Sequence, residues 1–512
     1  MKSPILGSAY VARSTNAADN RMINLYPEVT PDGGKESAYL LRCPGLRLVT
    51  TVGAGPVRGL WALGNAMYVV SGTTLYQVTK AGVVTSIGTV ANSGPVSMAD
   101  NGTQIFIAAN PQGYIYNSVT NVFTQIVDPD FPGAVTVGYL DGYFVFNEPN
   151  SQKVWVTSLY EGTEVDPLEF ASAEGSPDGL VSVIVDHREA WLFGSNSVEV
   201  WYDAGTPDFP LQRIQGAFNE IGCAAPYSVA KLDNGIFWLG SDARGNGIVY
   251  RSSGYAGTRI STHAIEYAIQ SYGTITDAIA YTYQQDGHAF YVLVFPSASK
   301  TWVFDVATGA WHERASFALG EFARHRSNCQ VNFDGETIVG DYADGRVYAF
   351  DLNVYSDDDA IQKWLRSWRA LPSGQNNLKR TTHHSLQLDC ESGVGLSGGT
   401  YDLLATEEGD IIASMTPESI ILEQYGPLIA TGASSTAIDP QVMLRWSDDG
   451  GHKWSNEHWR SMGAIGATGS RVIWRRLGMT MALRDRVYEL SGTDPVKVAI
   501  MGAELILSAT NA

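Results

Sequence analysis

The sequence GLVSVIVDHREAWLFGSNSVEVWYD, residues 179–203, decides the fold class of this protein. It holds three apolar runs that are separated by two polar turns, Asp186–Arg188 and Gly194–Ser197. Short runs rich in Val, Leu, Phe and Trp between turn residues are typical of consecutive antiparallel strands. We therefore expect this stretch to form three neighbouring strands of one sheet.

The same pattern recurs along the chain. In each copy a turn with Gly, Asn or Asp precedes an apolar strand, and a second turn leads into a strand that carries an aromatic residue. These aromatic residues are Tyr76, Tyr116, Trp155, Trp201, Tyr250, Trp302 and Tyr348. They are 39 to 52 residues apart, and repeats of roughly 40–50 residues with about four short strands each are typical of a β-propeller. The spacing predicts an all-β fold with a propeller of six to seven blades, in which these residues occupy equivalent positions.

Composition and charge narrow the possible classes of function. Of the 512 residues, 44% are hydrophobic and 17% are charged, which is a balance typical of globular proteins. The formal net charge of −19, from 53 acidic and 34 basic residues, argues against general binding of duplex DNA. Such a surface suits a wall that DNA slides past without adhering, although solubility is the simpler explanation of charge alone.

The sequence also bears on compartment and covalent chemistry. No apolar run approaches the roughly 18–20 residues of a membrane-spanning helix, and the first 22 residues lack the apolar core of a signal peptide. We therefore expect synthesis and assembly in a cytoplasm. The cysteines, Cys43, Cys223, Cys329 and Cys390, are far apart, which favours isolated buried thiols over disulfides or a zinc site.

The first two thirds of the chain divide into an arm and the propeller. Residues 1–40 lack strong periodicity and predict an extended arm, with a strand packed on the chain's own domain as an equal alternative. Residues 41–355 are assigned to the propeller, and we expect the segment Leu40–Val52 to close its last blade with an N-terminal strand. One short helix is expected in this part, capped by Ser261 or Thr262.

The last third predicts a second β domain. Residues 356–377 predict a linker with a short helix, because the apolar residues of IQKWLRSWRAL recur at helical spacing. Residues 378–512 contain alternating strands and predict a β-sandwich-like domain. Within it, residues 393–440 are acidic, rich in Ser and Thr and free of Lys and Arg, which indicates an inserted loop.

One motif resembles the Asp box of sialidases. Ser447, Asp449, Gly451 and Trp454 fit its pattern S-x-D-x-G-x-x-W. The pattern makes a tight turn in which the Asp caps backbone donors and the Gly supplies an unusual φ. A sialidase also needs an arginine cluster around a tyrosine nucleophile and an acid, and we find no such set in the sequence. We interpret the motif as a structural turn and keep a sialidase-like or glycan-binding propeller as the alternative function.

Other signals of catalysis or metal binding are missing from the sequence. It contains no G-x-S-x-G elbow, P-loop or H-E-x-x-H motif. The adjacent histidines His383 and His384 would point to opposite faces of a strand, so we do not expect them to share a metal. We therefore expect a protein that is not an enzyme and uses no cofactor or metal.

The densest basic cluster, Arg471, Arg475 and Arg476, followed by Arg484 and Arg486, lies near the C-terminus. Arginine suits ion pairs at protein interfaces, although salt bridges within the domain are the simpler explanation. On a regular strand Arg471 and Arg475 would share one face and Arg476 would take the other.

Two acidic segments are natural counterparts of these arginines. They are the run Asp357, Asp358 and Asp359, and the loop Glu161–Asp166. A subunit with a charge of −19 repels its own copies, so assembly needs local complementarity. We therefore treat the arginines and Asp357–Asp359 as candidate partner-interface residues. The simpler interpretation of the aspartates is a solvated charge run.

Several stretches resemble one family, the packaged-DNA stabilisation proteins or tail accessory factors of short-tailed bacteriophages. They are RCPGL (42–46), SPDGLVSV (176–183), FGSNSVEVWYDAG (193–205), RWSDDGG (445–451) and RVIWRRLG (471–478). The resemblance covers most of the chain, except residues 393–440 and roughly the first 15.

The resemblance implies a non-enzymatic virion protein of the phage tail. Members of this family form a hub or nozzle, a ring of six copies beneath the head-to-tail adaptor. The ring extends the DNA channel, helps to retain packaged DNA, and supports tailspikes or fibres and the central needle. Duplex DNA would pass without sequence-specific binding. The family has no catalytic residues to carry over.

Overall fold

A computed structural model of the chain describes residues 1–14, 18–31, 34–173, 175–206, 209–242, 245–372, 380–395, 439–480 and 486–509, with the strand backbone at 404–405, 411–412 and 429–430. Within these ranges the regular structure is β-strand apart from one α-helix. The all-β prediction is therefore confirmed.

The first 51 residues contribute strands to both halves of the molecule. Several of these strands are two residues long, so they depend on the sheets that they join. They are β1 (Lys2–Ser3), β2 (Tyr10–Val11), β3 (Asp19–Asn20), β4 (Met22–Ile23), β5 (Leu25–Val29), β6 (Ala38–Arg42) and β7 (Gly45–Thr51).

The propeller follows as a series of antiparallel sheets. Blades 1 to 3 are β8 (Val57–Leu63), β9 (Ala66–Ser71), β10 (Thr74–Thr79) and β11 (Val84–Thr89); β12 (Ser97–Asp100), β13 (Gln104–Ala109), β14 (Gln112–Asn117) and β15 (Val122–Gln125); and β16 (Val137–Leu140), β17 (Tyr143–Asn147), β18 (Lys153–Val156) and β19 (Phe170–Ser172). Blades 4 and 5 are β20 (Leu180–Asp186), β21 (Glu189–Gly194), β22 (Val198–Asp203) and β23 (Leu211–Asn219); and β24 (Gly222–Cys223), β25 (Ala230–Leu232), β26 (Gly235–Asp242), β27 (Gly245–Ser253) and β28 (Ala256–Arg259).

Helix α1 (His263–Gln270) leads into the last two blades. Blade 6 is β29 (Ile279–Gln285), β30 (His288–Phe295), β31 (Lys300–Asp305) and β32 (Ala310–Glu313), and a hairpin of β33 (Ala315–Ala318) and β34 (Glu321–Arg324) follows it. Blade 7 is β35 (Ser327–Phe333), β36 (Glu336–Asp341) and β37 (Arg346–Asp351), completed by β7. The helix is capped by Thr262, whose side chain accepts a hydrogen bond from the Ile265 amide, which confirms one of the two expected caps.

The described residues settle the blade number at seven. The innermost strand of every blade (β8, β12, β16, β20, β25, β29 and β35) contributes to the wall of one central cavity of about 460 Å³. The ring is closed by β7, which pairs with β37 in the register Leu46↔Phe350 and Leu48↔Tyr348. The prediction that the segment Leu40–Val52 closes the last blade is confirmed.

The repeating aromatic residues occupy one position in the blades. Each of them lies on the third strand from the axis: Tyr76 on β10, Tyr116 on β14, Trp155 on β18, Trp201 on β22, Tyr250 on β27, Trp302 on β31 and Tyr348 on β37. Left-handed turn residues, such as Asp141 at φ 47° and Gly142 at φ 109°, make the tight hairpins between the strands. The predicted equivalence of the aromatic residues is confirmed.

Two further sheets pack face to face beyond the propeller. Seven of the remaining strands join these two sheets: β40 (Trp364–Arg369), β41 (Thr381–Cys390), β45 (Gln441–Ser447), β46 (His458–Ser461), β47 (Val472–Met479), β48 (Val487–Gly492) and β49 (Ala499–Ala509). The hairpin of β38 (Ser356–Asp357) and β39 (Ala360–Ile361) extends the blade 7 sheet beside β7, and β42 (Leu404–Ala405), β43 (Ile411–Ile412) and β44 (Ile429–Ala430) pair with one another. One sheet has the order β47-β41-β49-β6-β5, with β1 also paired to β49. The other continues from blade 6 in the order β32-β4-β40-β48-β45-β46. The predicted sandwich is confirmed, and one of its sheets is continuous with a propeller blade.

The sandwich corrects two expectations about connecting segments. Residues 1–40 follow the alternative interpretation, strands packed on the chain's own domain, and not that of an extended arm, because β1, β4, β5 and β6 belong to the sheets and bury Leu25 and Leu40. The helix predicted within residues 356–377 is wrong, since Trp364–Arg369 is strand β40. Both faces of this strand are buried, so its sequence lacks the alternation that marks a half-exposed strand. Most of the predicted insertion at 393–440 lies outside the described residues.

Candidate assembly interface

The open edges of the two sandwich sheets meet at β46 and β47. Each of these strands is the last of its sheet in the described part of the chain. The indole Nε1 of Trp474 donates to the His458 carbonyl at 2.7 Å, and Arg460 Nε donates to the Ile473 carbonyl at 3.0 Å. These hydrogen bonds hold the two edges together, so that side chains from both strands form one surface.

Strand β47 presents its arginines to solvent because its alternation is interrupted. Val472, Trp474 and Leu477 are buried, whereas Arg471, Arg475 and Arg476 are exposed. Opposite β41, the register steps from Gly478 to Arg475 while β41 advances from His383 to Ser385, so β47 holds one extra residue. Arg476 has a left-handed φ of 58° in this bulge. The bulge leaves Arg476 exposed like Arg475, although a regular strand would place the two on opposite faces.

We name Trp459, Arg460, Arg471, Arg475 and Arg476 the basic edge. Trp459 on β46 is 49% exposed, and the arginines are also exposed. Trp and Arg are the residue types that contribute most often to binding energy at protein interfaces. The basic edge therefore has four exposed guanidinium groups and an exposed tryptophan on one of its two strands.

Cations elsewhere on the molecule are mostly neutralised. On the propeller, carboxylates within 4.0 Å pair with Arg47, Lys80, Arg188, Arg213, Arg251, Arg259, Lys300, Arg326 and Arg346. Among the described residues, no carboxylate forms an ion pair with any arginine of the basic edge. On a chain with a net charge of −19, the basic edge is thus a concentrated positive region.

The two other arginines of the predicted cluster do not extend this surface. Arg484 lies outside the described residues. Arg486 is buried and binds Asp448 through two hydrogen bonds, from Nε at 2.6 Å and from Nη2 at 2.9 Å. Its guanidinium also lies 5.5 Å from the ring centroid of Trp446. Burial alone would lower the pKa of Arg486, but the Asp448 hydrogen bond, together with the charge of Asp448 and the interaction with Tyr488, raises the pKa. Arg486 therefore fixes the Asp-box loop to the sandwich.

The Asp-box residues form a turn, as the sequence predicts. Asp449 Oδ1 accepts from the backbone amides of His452 and Lys453 at 3.0 and 2.8 Å, and also from the Ser447 hydroxyl at 2.7 Å. The hydrogen bond from Ser447, with those from the backbone, holds the pKa of Asp449 below its usual value. Gly451 has a φ of 102°, and a Cβ there would lie 2.8 Å from an oxygen of Asp19. Trp454 lies beneath the Arg445 guanidinium at 4.8 Å.

The acidic run 357–359 is not a free surface. Asp357 is fully buried and its Oδ1 accepts from Gln362 Nε2 at 3.3 Å. Asp358 accepts from Arg346 Nη1 at 2.9 Å, within the same chain. Asp359 is exposed. The interpretation of this run as a solvated charge run is wrong for Asp357, and two of its three carboxylates face the protein itself.

The loop that contains Glu161–Asp166 is accessible. Glu164 and Asp166 are exposed, while Glu161 accepts from Gln104 Nε2 at 2.9 Å. The loop contacts the connection after blade 2, where Asp128 Oδ2 accepts from the Val165 amide at 3.3 Å. We name the exposed residues of both segments the acidic loop patch: Val127, Asp130, Glu164, Asp166 and Leu168. Val127 is 80% exposed and Leu168 is 78% exposed, so the patch combines carboxylates with apolar side chains.

The histidine pair and the cysteines have the placement that the sequence predicts. His383 is buried against the Tyr488 hydroxyl at 2.7 Å, and His384 is exposed and contacts Ser508. Burial lowers the pKa of His383 to about 3. The four cysteines are free and lie in buried or half-buried positions. Within the described ranges, no cluster of three metal-ligating side chains occurs.

Within the part of the chain that the structure describes, the central cavity of the propeller contains few charged side chains that could bind a glycan substrate. Its described cations are Arg58 and Lys231, and both donate to backbone carbonyls, for example from Arg58 Nη1 to Gly72 at 2.9 Å. Its carboxylate, Asp100, accepts from the Trp61 indole at 2.8 Å. The described lining therefore lacks converging arginines of the kind that a sialidase needs.

The sequence did not single out Trp459 and Arg460 on β46. The stretch EHWRS places an aromatic residue beside an arginine, but many half-exposed strands have that composition. Their importance comes from the meeting of two sheet edges, which depends on contacts between residues that are far apart in the chain. A short strand with exposed Trp and Arg next to a turn would have been the available signal.

Comparisons with solved structures find broad but weak likenesses. The chain is similar to "Streptogramin B lyase structure" with 8% identity and a TM-score of 0.39, covering 64% of this chain and 98% of that chain. It is similar to the N-terminal domain of Nup159 with 9% identity and a TM-score of 0.37, covering 63% and 97%. These TM-scores are too low to carry any argument. No curated protein matches the chain. Within the described residues no helix is long and apolar enough to cross a bilayer.

Two family models match the chain. One is described as "Bacteriophage P22 Gp10, beta-propeller" and matches residues 1–355, and the other as "Bacteriophage P22 Gp10, beta-sandwich" and matches residues 419–507. The matches begin at residue 1 and include residues 419–440, so the likeness is wider than the quoted sequence stretches suggest. Their two folds are those of the two domains described above. The chain belongs to the bacteriophage P22 Gp10 family of phage structural proteins.

Proposed function

We propose that this protein is a structural subunit of a short phage tail, and that its copies form a ring beneath the head-to-tail adaptor. The observation that carries the proposal is the basic edge, because the chain is acidic overall and neutralises most propeller cations internally. A positive surface with an exposed tryptophan suits a protein partner. Membership of a phage structural family supports the same role.

The mechanism that we propose is mechanical and electrostatic. The sheet that runs from blade 6 into the sandwich joins the two domains by backbone hydrogen bonds, which gives a stiff block. A ring of such blocks, as a hub or nozzle, would extend the DNA channel and support tailspikes or fibres and the needle. Because the net charge is −19, the subunits repel duplex DNA and let it pass without sequence-specific binding. The protein would assemble in the host cytoplasm and reside in the virion tail.

We further propose that the protein is not an enzyme and needs no cofactor. The cations that line the described part of the central cavity are one arginine and one lysine, each bonded to backbone carbonyls, which is not the arginine cluster that a sialidase needs. The Asp box acts as a turn whose carboxylate is occupied by backbone amides. These contacts support a structural role over the glycan-processing or glycan-binding alternative.

Mass measurement with and without the adaptor tests the assembly role. Purified protein is added to adaptor-bearing particles that lack it, and the particles are sedimented and weighed. We expect a mass increase of a whole number of subunits, together with slower loss of packaged DNA. The same protein added to particles without adaptor is the control. Equal binding to both kinds of particle, or glycan cleavage that a single carboxylate change abolishes, would overturn the proposal.

A further inference from the structure

We propose that the basic edge of one copy docks on the acidic loop patch of a second copy of this chain. The inference rests on the proposed function, because it names the two surfaces through which successive ring subunits would associate. It commits to a second copy as the occupant of the basic edge, with the adaptor as the competing outcome.

Within the described part of the chain, the arginines of the basic edge have no carboxylate partner. Arg475 and Arg476 lie on β47 and Arg471 directly precedes it, and Arg460 of β46 joins them through its hydrogen bond to the Ile473 carbonyl. Mutual repulsion of four guanidinium groups is relieved when carboxylates approach. Trp459 precedes Arg460 on β46, where consecutive side chains point to opposite faces, and it supplies exposed apolar area at this edge.

The acidic loop patch has the complementary composition. Asp130, Glu164 and Asp166 have no lysine or arginine partner among the described residues, and Val127 and Leu168 are exposed beside them. The sequence offered a second counterpart, Asp357–Asp359, but two of those carboxylates are occupied inside the chain. The structure thereby selects one of the two acidic segments.

The two surfaces lie on different domains, which fixes the type of assembly. The basic edge is on the sandwich, and the acidic loop patch is on blades 2 and 3 of the propeller. A contact between two different surfaces of the same chain is heterologous, so each added copy offers a fresh surface to the next one. Such contacts give a closed ring when the rotation between copies closes, and a filament when it does not.

Disulfide trapping tests the contact directly. Arg475→Cys and Glu164→Cys are made separately, because both side chains are exposed and neither makes an ion pair within the described residues. Mild oxidation of a mixture of the two variants should give a covalent dimer, whereas either variant alone should stay at the wild-type background. Arg188→Cys mixed with Glu164→Cys is the matched control, since Arg188 is an exposed propeller cation.

A reciprocal charge exchange provides a second, independent readout. Arg475→Glu alone should weaken self-association about 30-fold, as expected for an interface residue of high energetic weight. Glu164→Arg alone should weaken it similarly. The double variant carries the exchanged charges on both surfaces and should recover most of the association. Glu220→Arg, at another exposed carboxylate, should have little effect.

The outcomes separate this inference from the proposed function. If the wild type forms rings on the adaptor but neither the mixed disulfide nor the charge rescue appears, the contact is wrong and the tail role stands. If Arg475→Cys is trapped on the adaptor instead, the basic edge binds the adaptor and the inference is overturned. If the wild type never binds adaptor-bearing particles, the proposed function itself fails.

Discussion

Blades 6 and 7 are neighbours, yet they end in opposite ways. Blade 7 has three strands of its own in β35–β37, and its fourth strand is β7 from the N-terminal segment. Blade 6 has four strands of its own, and its outer strand β32 pairs onward with β4, so the sheet continues into the sandwich. Closure of blade 7 seals the ring, whereas extension of blade 6 attaches the second domain.

The same N-terminal segment performs both tasks. Strands β4 and β7 are separated by about twenty residues, and between them β5 and β6 enter the other sandwich sheet. Asn24 directly follows β4, where the chain leaves the blade 6 sheet. Its side-chain Oδ1 accepts from the Ala315 backbone amide, and its Nδ2 donates to the Lys363 carbonyl. The propeller and sandwich are therefore joined by backbone pairing as well as by side-chain packing, and we expect them to unfold together.

A substitution that disrupts the closure of blade 7 should cause the largest loss in the free energy of unfolding. Leu46 on β7 is completely buried and packs in the cluster that contains Tyr348 and Phe350. Leu46→Asp places an unpaired carboxylate there, and we expect a loss of more than about 4 kcal/mol in the free energy of unfolding. Leu48→Asp is the matched control, because Leu48 is on the same strand but 41% exposed. Urea unfolding followed by circular dichroism measures both variants, and equal losses would argue against a closing role for β7.

Breaking the extension of blade 6 should cost less. Asn24 is fully buried, and its side chain makes hydrogen bonds of 2.7 to 3.0 Å with Ala315 and Lys363. Asn24→Ala leaves these backbone groups unpaired, for which we expect a loss of about 3 kcal/mol.

A second substitution at this position separates hydrogen bonding from backbone strain. Asn24 has a left-handed φ of 54°, which Gly adopts more easily than Ala. Asn24→Gly removes the same hydrogen bonds without the conformational cost. If Asn24→Gly is as stable as the wild type in urea, the contribution of Asn24 is its backbone conformation and the bonding argument is wrong.

The repeated strands of the propeller blades could be predicted from the sequence. Tyr76 to Tyr348 mark the third strand of every blade because each blade repeats the same turn chemistry and the same burial on both faces. The closing strand could also be predicted, since LLRCPGLRLVTTV is apolar and lies directly before the first blade. Local pattern is sufficient where each strand pairs with its sequence neighbour.

The strands that join the propeller to the sandwich could not be predicted from the sequence, because they pair with residues that are far away in the chain. Trp364, Leu365 and Trp368 look helical because every side of β40 is covered, including by Ile23 of β4. The extra residue of β47 that exposes Arg476 follows from its register with β41. Three arginines of the candidate interface, Arg471, Arg475 and Arg476, could thus be predicted, but Arg460, the meeting of the two sheet edges and the burial of Asp357 could not.

The contribution of the blade 6 junction to stability should be lost at alkaline pH. His288 on β30 contacts Asp305 at 2.8 Å and Glu28 of β5 at 2.6 Å. Burial alone would lower the pKa of His288, but the hydrogen bonds to Asp305 and Glu28 outweigh it and raise the pKa to about 9. Because the folded protein holds this proton more tightly, the stabilisation is complete below pH ~6.5 and is lost as pH rises through about 9.

Glu28→Gln measures this contribution. The variant removes one of the two carboxylates, so we expect it to be less stable than the wild type by roughly 2 kcal/mol at pH 6 and nearly equal to it at pH 10. Urea midpoints across this range provide the difference, which cancels the titration of other groups. A constant difference from pH 6 to 10 would show that His288 does not carry the effect.

The free energy of unfolding should also depend on pH through Asp357 beside blade 7, with a smaller effect and at lower pH. Asp357 lies in β38, beside β7, and its Oδ2 has no hydrogen-bond partner among the described residues. Burial raises the pKa of Asp357 to about 7, against the lowering effects of the Gln362 hydrogen bond and of Arg42. A raised folded pKa means that stability is highest below pH ~3.8 and falls as pH rises through about 7.

Asp357→Asn keeps an acceptor for Gln362 and removes the buried charge, but it leaves the second amide atom unpaired, which offsets much of the gain. We therefore expect the variant to be less stable than the wild type near pH 4, where both side chains are uncharged and only the unpaired amide differs, and to exceed the wild type by about 1 kcal/mol at pH 8. Asp359→Asn, at an exposed position, should show no such growth with pH. A stability difference that does not change in favour of Asp357→Asn from pH 4 to pH 8 would show that the ionised carboxylate is stabilised by the nearby arginines, and the two junctions would then respond to pH in opposite directions.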